Sequence, residues 1–173
     1  MTIPTWRSQF WRQWVAVNSL GELVGLGTVA GLGYVIASRM GEPHGILPAI
    51  AFASVFVLLG AFEGFVVGWA QAKVLKLRLP KLTGWTRATV VGAAVSWALG
   101  MAPSTLMSLA QATEARPPPE ISEPLRLLLA AGLGLVAGPA LAFFQWRRLR
   151  RHVPRAGWWL PANAVAWAVG MPI

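Results

Sequence analysis

The stretch Gly60–Trp85, GAFEGFVVGWAQAKVLKLRLPKLTGW, decides how the chain is read. It opens as an apolar helix in which Gly60, Gly64 and Gly68 recur every four residues along one face, with a single acid, Glu63. It closes on Gln71, a basic run, Pro80 and Trp85. Glycine in a water-exposed helix costs up to ~1 kcal/mol relative to alanine, whereas in lipid it lets two helix backbones approach closely. The frame returns 74 residues later. Gly60, Gly64, Gln71, Lys73, Leu75, Lys76, Pro80 and Trp85 are matched by Gly134, Gly138, Gln145, Arg147, Leu149, Arg150, Pro154 and Trp159.

Working outward, the 173 residues are 55% hydrophobic and only 12% charged, where a soluble domain averages about 25% charged. Mean hydropathy is +0.55. Several apolar runs exceed the ~20 residues needed to cross a ~30 Å hydrocarbon core, so the expected fold is all-α, a polytopic transmembrane helical bundle. The net charge of +9 would point to nucleic acid in a soluble protein. Here the basic residues sit beside the ends of apolar segments, where they set orientation and attract anionic headgroups, so no nucleic-acid partner is expected. The absence of cysteine excludes disulfides, thiolate chemistry and cysteine-held metals.

Five spans are expected, at about 14–38, 46–75, 85–102, 125–146 and 158–173. A short interfacial segment, 1–13, precedes them, with Trp6, Phe10 and Trp11 interleaved with Arg7 and Arg12. A signal peptide is the competing reading, opposed by Glu22 and by an apolar run longer than a signal core of ~7–15 residues. Pro103 should break or kink the third span, and Pro117, Pro118 and Pro119 favour an extended connection. The last span reaches only ~24 Å, so it is short, thins the bilayer or belongs to a longer segment. Twelve Lys and Arg flank one side, against Arg39, Arg116 and Arg126 on the other. That imbalance places the N-terminus in the cytoplasm and the C-terminus outside a bacterial inner membrane.

With that topology the transmembrane domain, 14–173, contains a degenerate parallel repeat of helical hairpins, copies about 46–103 and 120–173, related by an axis along the membrane normal. Half a unit is visible in the first span, where Trp14, Asn18 and Glu22 share the spacing of Trp159, Asn163 and Trp167, and of Trp85, Thr89 and Ala93. Further along, a four-residue slip pairs Trp97, Gly100 and Met101 with Trp167, Gly170 and Met171.

The pattern G-x3-G-x6-Q-[AW]-x2-L-[KR]-x3-P-x4-W, closing on QWRRLRRHVPRAGWWLPANAVAW, resembles repeated segments of bacterial multi-pass membrane proteins that have no assigned activity. It covers roughly residues 60–100 and 134–173. The resemblance implies a membrane repeat protein and transfers no chemistry. The first copy departs from it at Ala72 and Gly84, where the second has Trp146 and Trp158.

Glu22 and Glu63 are the ionisable residues well inside the spans, and a carboxylate in hydrocarbon is costly enough that such a residue faces the bundle or a cavity. Glu22 lies eight residues inward from Trp14 and Glu63 eight from Gln71, so both should sit ~12 Å from the basic-side interface. With Asn18, Gln71, Gln145 and Asn163 they form an expected intramembrane polar layer. The acids should be protonated at least in part, because no Lys or Arg shares their depth. That layer either hydrogen-bonds helices together or serves a proton or small cation. Gly21, Gly25, Gly60, Gly64, Gly68, Gly134 and Gly138 are candidate close-packing positions, within the bundle or between copies.

Lys73, Lys76, Arg78, Arg147, Arg148, Arg150 and Arg151 are candidate contacts to anionic lipid headgroups on the cytoplasmic side. Most tryptophans, Trp14, Trp85 and Trp159 among them, read as interfacial anchors, while Trp69, Trp97 and Trp167 lie further in and could line a lipid, quinone or pigment pocket. His44 and His152 fall in loops on opposite sides with no second ligand, so no metal site and no cofactor is expected. The chain has no aspartate and no nucleophile paired with a base, so no catalysis is expected. Three functions remain in view: a structural or accessory component of a homo-oligomer or larger membrane complex, a proton or small-cation channel using Glu22 and Glu63, and a lipid, quinone or pigment binder.

Overall fold

Burial is inverted relative to a water-soluble bundle. The residues hidden between helices are small or polar: Gly64, Gly68, Ala93, Ala142, Thr89, Ser96, Gln71 and Gln145. Leu47, Leu58, Leu128, Phe65 and Val165 stand exposed on the outside. A bundle surrounded by hydrocarbon gains nothing by hiding leucine and must instead satisfy its polar groups internally.

The computed structural model describes residues 5–41, 45–114 and 121–172. Helix α1 runs Thr5–Met40, α2 Ile46–Lys76, α3 Trp85–Glu114 and α4 Glu123–Leu149, and a 3-10 turn at Ala156–Trp158 leads into α5, Trp159–Gly170. The all-helical bundle expected from composition is present. Four of the helices, α1 to α4, are long and apolar enough to cross a membrane. The fifth has 12 residues, or ~18 Å at ~1.5 Å per residue.

Two expectations change. From Thr5 onward the proposed interfacial segment is the first turns of α1, whose 36 residues make a rod of ~54 Å that outreaches the bilayer. Pro103 lies inside α3 without ending it. Proline removes the backbone donor that would reach the Leu99 carbonyl, a loss that membrane helices tolerate, while the nearby Thr105 and Ser104 hydroxyls bond the Met101 carbonyl at 2.8 and 3.0 Å. Pro139 likewise lies inside α4 without ending it. The proline connection lies outside the described residues.

Each helix packs against its neighbours in sequence: α1 on α2, α2 on α3, α3 on α4 and α4 on α5. Among the described residues α1 and α5 nowhere bring Cα atoms within 8 Å. The helices therefore form an arc around a central cavity, with a gap between the first and the last.

Contacts within the arc recur at fixed offsets. A Cβ on Gly64 would lie 2.6 Å from Ala93 Cβ and 3.0 Å from the Thr89 carbonyl oxygen. On Gly138 it would lie 3.0 Å from Trp167 Cβ and 2.5 Å from the Asn163 oxygen, the same positions 74 residues on. The packing thus keeps the 74-residue offset through Trp167, which matches Ala93, while at the next ridge glycines Gly60 meets Trp97 and Gly134 meets Trp167, the pairing of the four-residue slip. Likewise Gly21 of α1 meets Val67 Cα at 3.3 Å as Gly92 of α3 meets Leu141 Cα at 3.0 Å.

At the basic end, Leu75, Leu82 and Trp85 pack with Leu149 and Ala156 beneath the two linkers. Gly84 adopts φ +71°, which lets the first linker turn directly into α3.

Candidate functional site: an intramembrane polar cluster and cavity

The polar residues expected in one layer form two clusters at different depths. Nearer the basic end, Gln71 and Gln145 are buried on α2 and α4 because the glycine ridges below them draw α3 and α5 close. Trp85 Nε1 donates to Gln71 Oε1 at 2.8 Å, and Trp159 Nε1 donates to Gln145 Oε1 at 2.9 Å. Each glutamine also donates to the helix preceding its own: Gln71 Nε2 to Asn18 Oδ1 at 2.8 Å, and Gln145 Nε2 to Thr89 Oγ1 at 3.0 Å. A longer contact of 3.4 Å runs from Gln145 Nε2 to Gln71 Oε1.

Asn18, Thr89 and Asn163 complete the pattern, each donating to the carbonyl four residues earlier, of Trp14, Trp85 and Trp159, at 2.7, 3.1 and 2.8 Å. Asn163 lines the same cavity as the glutamines without bonding to either of them. Every buried side-chain nitrogen and oxygen described is satisfied. In a medium with no competing water that matters, because each orphaned group would cost several kcal/mol.

Trp85 is a correction to the interfacial reading. It is 2% exposed and serves as a hydrogen-bond donor in the core, while Trp158 at 73% exposure fits an anchor. The signal was present in the repeat, where Gln and Trp keep a spacing of 14 residues in both copies. Trp69 is exposed, with the Lys73 ammonium 5.0 Å from its ring centroid, and lines a recess of about 430 Å³ at the basic end with Lys76, Trp85 and Arg87.

About two helical turns deeper, Trp97 Nε1 donates to Glu63 Oε2 at 2.9 Å. Glu63 is buried, and Glu22 of α1 lines the same two cavities beside it. Glu22 and Glu63 thus line shared cavities, and the fully buried Ala137 takes the place equivalent to Glu63 on α4.

The carboxyl pair lies where two cavities join. One, about 620 Å³, is apolar and runs toward the end opposite the linkers, past Leu26, Met101, Leu133, Trp97 and Trp167. Glu22 and Glu63 are its ionisable lining residues. The other, about 370 Å³, holds Asn18, Gln71, Gln145 and Asn163 on the basic side. All five helices contribute to these walls, and the side toward the gap between α1 and α5 is bounded by Glu22 on one helix and by Ala166 and Gly170 on the other.

All seven candidate packing glycines meet another helix within 3.3 Å of an added Cβ, whereas Gly27, Gly31 and Gly132 face open space. Two close approaches escaped the sequence reading: Gly92, whose added Cβ would lie 2.7 Å from the Leu141 carbonyl oxygen, and Gly33, 2.9 Å from the Phe56 ring. Neither belongs to a regular four-residue ridge.

Of the basic residues, Lys73, Lys76, Arg78, Arg147, Arg150 and Arg151 are exposed, and the Arg150 guanidinium stacks over Trp146 at 5.0 Å. Arg87, Arg147, Arg148 and Arg151 surround a recess of about 230 Å³, which concentrates positive charge on one edge of the basic end. His44 lies outside the described residues, and among those described no group of three His, Cys, Asp or Glu could hold a metal ion. No known protein family, no curated protein and no solved structure matches this chain.

Proposed function

We propose that the protein is a non-catalytic accessory component of a bacterial inner-membrane assembly, and that its binding element is the groove between α1 and α5. One observation carries this reading: Glu22, an exposed residue of a membrane-length helix, lines a cavity that the ends of the helical arc leave open. A polar acid facing hydrocarbon costs about 2.5–3.5 kcal/mol on insertion scales, so a bound neighbour that covers the groove is favoured. The basic linkers face the cytoplasm and hold anionic lipid, with the arginine recess as its natural seat.

The test is native mass spectrometry of the protein extracted with a polymer that preserves its lipid surroundings. A molecule should co-isolate with the wild-type chain and be lost from Leu26→Trp, which fills the cavity. Identical spectra containing only exchangeable bulk lipid would contradict the proposal.

A second reading, passage of protons or small cations, is favoured by Glu22 and Glu63 lying together where the two cavities meet. Liposome flux that disappears in the double variant Glu22→Gln, Glu63→Gln would establish it, and flux indistinguishable from protein-free vesicles would end it.

A further inference from the structure

The arc repeats two kinds of helix in alternation. α2 and α4 carry a small-residue ridge followed by a glutamine, and α1, α3 and α5 carry a tryptophan followed four residues on by Asn18, Thr89 or Asn163. The hydrogen bonds follow one rule. A ridge helix's glutamine accepts from the tryptophan of the helix after it and donates to the Asn or Thr of the helix before it.

Applied all the way round, that rule leaves two loose ends, and both are in the gap. Among the described residues the Trp14 indole N–H has no acceptor, and the Asn163 side-chain oxygen has no donor. One carboxamide standing between α5 and α1 would satisfy both. The rings of Trp14 and Trp159 already approach edge to face at 6.1 Å, much as Trp85 and Trp159 do at 6.0 Å, so the open ends converge on the same centre as the closed joints.

The flanking surfaces match this missing element. On α3, Ala88, Gly92 and Ser96 are buried where α4 packs. Their counterparts on α5, Ala162, Ala166 and Gly170, keep the same small size and four-residue spacing yet are exposed. On α1, Val15, Ser19 and Glu22 occupy the positions by which α3 receives α2, and they too are exposed.

We infer that the gap is the docking site for a sixth membrane helix from a partner chain. This helix carries small residues four apart and a Gln or Asn seven residues beyond the second, bridging Trp14 and Asn163. A second copy of these five helices is excluded as the occupant, because both of its ridge helices are already clasped by their own neighbours. The inference rests on reading the groove as the binding element and names what fills it.

The chain's own α4 segment, residues 123–149, serves as the probe. In the arc, α3 Gly92 lies against α4 Leu141, so Ala166 at the same position of α5 should lie against residue 141 of a docked peptide. Because the protein has no cysteine, the disulfide between protein Ala166→Cys and peptide Leu141→Cys is unambiguous. It should form on mild oxidation in lipid nanodiscs at about ten times the yield given by peptide Phe143→Cys, whose side chain faces outward on α4. Adding Gln145→Leu to the peptide should lower the yield about tenfold, as loss of two membrane hydrogen bonds of roughly 0.6–1.7 kcal/mol each permits.

Equal yields from the two peptides, no peptide adduct, or an Ala166→Cys homodimer that forms in preference to it would overturn the sixth helix. If the peptide fails while native mass spectrometry finds a lipid or quinone that Leu26→Trp displaces, the groove still binds and the helix is wrong. If nothing co-isolates as well, both readings fall.

Discussion

Trp159 donates its indole N–H to Gln145 at 2.9 Å, repeating across 74 residues the bond that Trp85 makes to Gln71 at 2.8 Å. Two joints of the arc are therefore fastened by the same pair of side chains, and the consequences for stability can be measured.

Gln145 is 1% exposed, bonded to Trp159 and to Thr89, and in contact with Gln71. Gln145→Leu should cost about 1–3 kcal/mol, because Trp159 and Thr89 lose their partner in a dry environment. Gln71→Leu, which strands Trp85 and Asn18, should cost a similar amount. The two glutamines touch, so the double variant should lose less than the sum. Equilibrium unfolding in mixed micelles measures all three, and a strictly additive double variant would deny the coupling.

Trp14 and Trp85 occupy equivalent places, but only Trp85 has an acceptor for its N–H among the described residues. Trp85→Phe should therefore destabilise the purified protein by about 1 kcal/mol more than Trp14→Phe, the worth of one hydrogen bond. Equal losses would show that burial of the ring alone sets the cost.

A Cβ on Gly64 would lie 2.6 Å from Ala93 Cβ, whereas on Gly132 it would meet nothing within 4 Å. Gly64→Val should lower stability by about 1–3 kcal/mol or more through overpacking, and Gly132→Ala should be neutral or slightly stabilising. Size-exclusion profiles of fluorescent fusions after heating would rank the two, and equal thermal survival would contradict the glycine-ridge packing.

Single cysteines placed at Arg78 and Pro154 should both react from the cytoplasmic face with a membrane-impermeant maleimide, and one at Ser122 only from the opposite face. The fold puts the two linkers at one end of the bundle and the start of α4 at the other. Labelling of Arg78→Cys and Pro154→Cys from opposite sides would refute the parallel arrangement of the hairpins.

The sequence reading reached the fold because membrane helices advertise themselves by length and apolarity, and the Gly60 ridge was legible because four-residue spacing defines one helical face. Glu22 and Glu63 were brought together by nothing more than equal depth. Trp85 and Trp159 were misread, since a tryptophan near a span end looks like an anchor until the partner of its N–H is known. That partner depends on how two helices rotate about each other. Pro103 reads in sequence as a break or kink because proline's local penalty is visible there, while the continuation of α3 past it is a property of the folded bundle. The gap between α1 and α5 has no sequence signature in either helix alone; it is the place where a repeating contact rule stops.

Photo-crosslinking in native membranes tests most directly whether that gap is filled. A benzophenone amino acid at Ala166, on the α5 face of the gap, should give a discrete adduct with one polypeptide, mapping to a membrane-spanning segment with small residues four apart and a Gln or Asn. The same group at Leu58, on the outer surface of α2, should give only diffuse lipid adducts. Indistinguishable products from Ala166 and Leu58 would show that α5 faces ordinary lipid there, and would contradict the account.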